Sequence, residues 1–77
     1  MTPIEFDAAC RGFCRRRPFR AFILEFTSGN QMVISHPEAV YDAGVYYVER
    51  RPDGGFVVFS AESLSRLLDI PPKAAAT

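Results

Sequence analysis

The sequence predicts an α+β fold, mainly β: an N-terminal helix followed by a small bent antiparallel sheet or barrel of four to five strands, within residues 1–70. Three observations predict it. Thr2-Pro3-Ile4-Glu5 has the residues of a helix start. Pro18 to Pro37 holds two apolar segments on either side of Ser28-Gly29-Asn30, a hairpin pattern. Val45–Glu49 and Phe56–Phe59 flank Arg51-Pro52-Asp53-Gly54-Gly55, the clearest tight turn in the chain.

In the helix, Thr2 can cap, Pro3 suits the first helical position and Glu5 completes a Thr-x-x-Glu capping box. The helix is expected to run to about Arg16. Phe6, Cys10, Phe13 and Cys14 share one face at i, i+4, i+7 and i+8, which packs inward. Gly12 weakens the middle by about 1 kcal/mol relative to Ala. Arg15, Arg16 and Arg17 suit the negative end of the helix dipole, and Pro18 pushes Arg17 out of helical geometry.

The first strand is expected from about Phe19 to Thr27, with Phe22, Leu24 and Phe26 on its buried face. The second runs from about Gln31 to Ser35, and Gly29-Asn30 allows positive φ in the turn between them. His36-Pro37 breaks that strand. Glu38–Tyr41 either continues it after a bend or forms a short turn. Asp42-Ala43-Gly44 is a further turn. Ser60–Ile70 reads two ways. Leu64, Leu67 and Leu68 have helical spacing, yet a one-turn bend at Ala61-Glu62-Ser63 followed by a fifth strand fits as well. The exposed apolar edge that four strands would leave favours the bend and strand. Pro71–Thr77 reads as a disordered tail.

Seventy-seven residues make one domain. A domain of this size buries only about 60% of the surface its unfolded chain exposes. The hydrophobic fraction is nonetheless 48%, with seven Phe, three Tyr and no Trp. Either the core is dense or part of the apolar surface is covered by a second subunit. Net charge is zero, so overall composition points to neither nucleic acid nor membrane. The basic residues are uneven, however, with five of nine between Arg11 and Arg20. No apolar run is long enough for a membrane helix and no signal-peptide pattern is present. A cytoplasmic protein with reduced thiols is expected.

Arg17-Pro18-Phe19-x-x-Phe22, Ser28-Gly29 and Ile34-Ser35-His36-Pro37-Glu38 resemble a set of short bacterial proteins sharing R-P-F-x-x-F, a Ser/Asp-Gly hairpin and H-P-E. That resemblance spans the chain except the tail and implies no established activity. The element order is also similar to the SH3-like and Sm-like small barrels, the latter including Hfq. Phe56–Leu64 stands where the Sm-like family carries its second motif. The resemblance implies a barrel with the helix over one open end. It does not imply the RNA pocket, because Phe59, Ser60 and Ala61 stand where that family places basic and aromatic residues.

Arg15, Arg16, Arg17 and Arg20, with Phe19 among them, are the sharpest candidate contacts for nucleic acid or a partner. Arginine forks suit phosphates and an aromatic ring can stack on a base. A solvated helix end explains the same residues, and zero net charge favours it. His36 with Glu38 or Asp42 could act as an oriented base, but no nucleophile stands at motif spacing, and turn chemistry accounts for His-Pro-Glu. Cys10, Cys14 and His36 fall short of a structural zinc set, and core packing is the expected role of both thiols. Tyr41, Tyr46 and Tyr47 could form an aromatic surface. Tyr46 and Tyr47 are adjacent on a strand and point to opposite faces, so at least one belongs to the core.

The function expected from sequence is a non-enzymatic protein-interaction or self-assembly module, with a protein partner or a second copy, no cofactor, no metal and no membrane. The alternative is a nucleic-acid-binding module using Arg15–Arg20, and a distant third is an enzyme using His36.

Overall fold

Helix α1, Pro3–Cys14, begins where its capping box sets it. The Glu5 N–H donates to Thr2 Oγ1 at 3.1 Å, and the Thr2 N–H donates to Glu5 Oε1 at 2.8 Å. This pair satisfies two backbone donors that the first turn would otherwise leave open. The helix ends two residues earlier than expected, with Arg15 as its cap donating to the Arg11 carbonyl at 3.0 Å. The computed structural model describes residues 1–44 and 46–70. The tail expected from Pro71 lies outside the described residues.

Strand β1 is Phe22–Phe26, β2 Gln31–Ile34, β3 Val40–Asp42, β4 Tyr47–Arg50 and β5 Phe56–Phe59. A one-turn 3₁₀ helix, Ala61–Ser63, leads into β6, Leu64–Asp69. The bend-and-strand reading of the C-terminal segment therefore holds. The strand count is six rather than four to five, because the segment after His36-Pro37 re-enters a ladder. Val40, Tyr41 and Asp42 pair with Glu49, Val48 and Tyr47.

The strands form two antiparallel three-stranded sheets, ordered β2-β1-β6 and β3-β4-β5. Among the described residues no ladder closes them into a barrel. Two turns depend on glycine. Gly29 closes the β1–β2 hairpin at φ +93° and Gly54 the β4–β5 hairpin at φ +91°. Both values lie in the left-handed region that a Cβ disfavours. Asn30, expected to share the positive φ of its turn, does not.

The core lies between α1 and the inner faces of both sheets. Phe6, Phe22, Leu24, Ile34 and Leu64 are fully buried. Phe6 meets Tyr47 edge-on with ring centroids 4.5 Å apart, and Phe13 stacks on Phe22 at 4.8 Å. Such aromatic pairs contribute about 0.5–1.5 kcal/mol each beyond their burial. The first sheet supplies Phe22, Leu24, Ile34 and Leu64, the second Tyr47 and Phe59, and the helix lies against both. Cys10 and Cys14 are free thiols, half-buried against this core as expected. Burial, reinforced by the neighbouring Cys14, pushes the Cys10 thiol up to about 12.

Candidate binding surface

Half of the arginine cluster is ion-paired within the chain. Arg16 Nη1 lies 2.6 Å from Asp69 Oδ1, and its Nη2 donates to the Arg20 carbonyl at 2.9 Å. Arg20 Nη2 reaches the other Asp69 oxygen at 3.3 Å. The Arg16 guanidinium also sits 4.8 Å from the centre of the Phe13 ring. The Arg16 hydrogen bond, aided by the charges of both arginines, holds the Asp69 carboxyl below its ordinary range. Two of the four candidate arginines thus tie the end of β6 to the end of α1. Phe19 is half-buried and meets Phe22 edge-on at 6.3 Å, so it packs on the core rather than standing free as a stacking platform. Arg15 and Arg17 are exposed and form no ion pair among the described residues.

His36 sits in the exposed link between β2 and β3, where its carbonyl accepts the Ala39 N–H at 3.1 Å. Glu38 is exposed beside it. This is the turn geometry that the His-Pro-Glu sequence suggests.

A different surface emerges on the second sheet. Tyr41 pairs across to Val48, and Val48 to Val58, while Arg50 pairs with Phe56. Residues directly opposite in a ladder share a face, as do alternate residues along a strand. Tyr41, Tyr46, Val48, Arg50, Phe56 and Val58 therefore lie on the outer face. Four of these are large apolar side chains that stay in water: Phe56 is 68% exposed, Val58 52%, Tyr41 44% and Tyr46 42%. Val48 is buried beneath them at the centre. They line an open groove of about 450 Å³. The Arg50 guanidinium lies 4.6 Å from the centre of the Tyr41 ring, which holds a cation over the aromatic floor.

The inner side of the same sheet accounts for the remaining charge. Glu49 is buried, and its Oε2 stands 3.5 Å from Arg51 Nε, an ion pair without hydrogen-bond geometry. Tyr47 is buried in the core, and its hydroxyl donates to the Pro3 carbonyl at 3.4 Å. Burial pushes its phenol pKa up. The split expected of Tyr46 and Tyr47 is observed, one exposed and one in the core.

Phe56 and Val58 were not among the sequence candidates. In Phe56-Val57-Val58-Phe59 every residue is apolar, so the two-residue alternation that separates an inner from an outer face is silent. The available signal was a fully apolar strand in an antiparallel sheet, which ordinarily turns one face to water. No family model, curated protein or solved structure matches the chain at a significant level.

Proposed function

We propose that the protein is a non-enzymatic binding module that engages a protein surface through the outer face of the β3-β4-β5 sheet. The observation that carries this reading is the contiguous patch of Tyr41, Tyr46, Phe56 and Val58 with Arg50 laid across it. Aromatic residues and arginine are the types enriched at protein interfaces, and a partner that covers them removes apolar area from water. An apolar partner side chain fills the groove, and a partner carboxylate suits Arg50. Self-assembly is the simplest form of this activity. A small barrel-like platform, as the SH3-like and Sm-like resemblance implies, is a suitable frame for such a face.

The nucleic-acid reading through Arg15, Arg16, Arg17, Phe19 and Arg20 is less well supported, because Asp69 occupies Arg16 and Arg20 and offsets part of their charge. The discriminating experiment pans a random peptide library on the purified chain. The sites of the captured peptides are then mapped by amide shift perturbation. The expected result is perturbation centred on Tyr41, Tyr46, Val48 and Phe56. Peptides that bind elsewhere, or a chain that binds none and instead retains oligonucleotides with steep salt dependence, would falsify the reading.

A further inference from the structure

We infer that the occupant of this region is a second copy of the chain, joined through the free edge of β5 by antiparallel pairing of Phe56–Phe59 with itself. The inference rests on the binding reading above and gives it a partner and a register.

The hydrogen-bonding direction of each residue follows from two contacts. The Arg51 N–H donates to the Gly55 carbonyl at 2.8 Å, toward β5, and the Arg50 N–H donates to the Ala39 carbonyl at 2.8 Å, toward β3. Backbone groups alternate sides along an antiparallel strand. Glu49 and Tyr47 therefore bond Val57 and Phe59, their register partners. The N–H and C=O groups of Phe56 and Val58 point the other way, to an edge that no strand occupies among the described residues.

That edge lacks the features that ordinarily protect one. Phe56-Val57-Val58-Phe59 contains no charge and no proline, and no register shift interrupts its ladder. Among the described residues the other three edge strands each carry a polar or charged residue: Gln31 on β2, Asp42 on β3, and Arg66 and Asp69 on β6. Arg66 is ion-paired to Glu25 at 2.7 Å, and Asp69 to Arg16 and Arg20. A wholly apolar edge strand, where the other three each carry a polar or charged residue, marks a place where another strand is received.

A second copy fits it. A twofold axis perpendicular to the sheet, passing at Val57, sets Phe56 opposite Val58 of the other copy, and Val58 opposite Phe56. Both outward-facing residues of each strand then exchange N–H and C=O groups. The pairing produces four hydrogen bonds and two aromatic–β-branched pairs. It is self-complementary, as a twofold interface requires. It keeps the two outer faces on the same side, so the apolar patches become continuous. Both Arg50 side chains stay one strand back from the joint, and a net charge of zero leaves no overall repulsion between copies.

Four-residue strands bury less than the roughly 800 Å² per partner of a standard stable interface. The dimer is accordingly weak.

The test is sedimentation velocity from about 10 µM to about 1 mM, with amide hydrogen exchange at both ends of that range. The wild type is expected to move from monomer to dimer. Exchange at Phe56 and Val58 is expected to slow with concentration, while Val57 and Phe59, already in the β4 ladder, do not change. Val58→Pro removes an outward N–H without touching that ladder, a place where an edge strand tolerates proline. It is expected to weaken association tenfold or more, by about 1.4 kcal/mol or above. Phe56→Lys, which keeps every backbone group, is expected to do the same and covers the case in which the proline variant unfolds. A chain monomeric throughout overturns the inference, as does an oligomer larger than two, or association without protection at Phe56 and Val58. A monomer that still takes peptides on Tyr41, Tyr46 and Val48 overturns the dimer alone. A monomer that takes none overturns the binding reading as well.

Discussion

The two sheets solve the same problem inward and opposite problems outward. Each offers one apolar face to α1 and the core: Phe22, Leu24 and Ile34 from the first, Tyr47 and Phe59 from the second. Outward, the first sheet sets a charged row beside an apolar row of Val33, Ile23 and Leu68. Glu25 sits on its central strand and takes Gln31 from β2 at 3.0 Å and Arg66 from β6 at 2.7 Å. The second sheet has aromatic rings in the same place, and its outer cation, Arg50, lies on a tyrosine rather than on a carboxylate. Burial of the inner faces is what drives folding in both sheets. The difference outside is therefore where function is sought, and it selects the second sheet.

The largest test of this contrast is truncation of an inner ring. Phe22 is 0% exposed and lies between Phe13 and Phe19. Phe22→Ala is expected to cost about 3–5 kcal/mol through lost burial and the cavity left behind. A 77-residue domain holds only about 4–12 kcal/mol in all. The variant should therefore be unfolded or close to it in urea titrations. A loss below about 1 kcal/mol would place the core elsewhere.

Much of this inner architecture was legible in the residues. The capping box, the hairpin around Gly29, the tight turn at Gly54 and the inward Phe22-Leu24 alternation each have a local cause, and each stands as read. The third strand was harder to read, because Val40-Tyr41-Asp42 is too short to show a period and follows a proline break. The candidate site was the least legible. The Arg15–Arg20 cluster is conspicuous as a run, but its partner, Asp69, lies 49 residues beyond Arg20. No local pattern reveals that pairing. Phe56 and Val58 were hidden because an all-apolar strand does not say which side faces water.

The hairpin turns should not distinguish the sheets. Gly29 and Gly54 have nearly equal positive φ, and neither has a neighbour within 4 Å of an added Cβ. Backbone strain alone sets the cost of alanine, about 1–2 kcal/mol at either site. Melting temperatures should fall by about 4–8 °C per kcal/mol for a domain of this size. A much larger effect at Gly54 than at Gly29 would show that the second hairpin carries contacts beyond its own chain.

Acid should separate them again. Arg16 holds the Asp69 carboxyl below its ordinary value, and Arg66 and Gln31 do the same for Glu25. A carboxyl whose folded pKa is depressed binds fewer protons in the native state than in the unfolded one. Its contribution is present above the unfolded value and is lost as pH falls through the folded value. Asp69→Asn should therefore lower the melting temperature at neutral pH, and its gap from wild type should close as pH drops below about 4. Tyr46→Ser, on the outer face of the second sheet, removes no titrating carboxylate, so its effect should be the same at both ends of that range. A gap for Asp69→Asn that persists at about pH 2 would mean that packing, not charge, is what Asp69 contributes.

The smallest expected effect on folding is at Phe56, and there the comparison becomes sharpest. Its ring is 68% exposed, so Phe56→Ser forfeits little buried area, and in dilute solution stability should change by no more than about 0.5 kcal/mol. At concentrations above the dimer constant the outcome changes. Association stabilises whatever state it selects by mass action, so the wild type should gain melting temperature as it is concentrated and the serine variant should not. The two melting curves would coincide when dilute and separate when concentrated. Gly29→Ala should show no such divergence, because its loss is internal to one chain. If Phe56→Ser is instead destabilised equally at every concentration, the ring is part of the fold, and the outer face of the second sheet loses its distinction from the first.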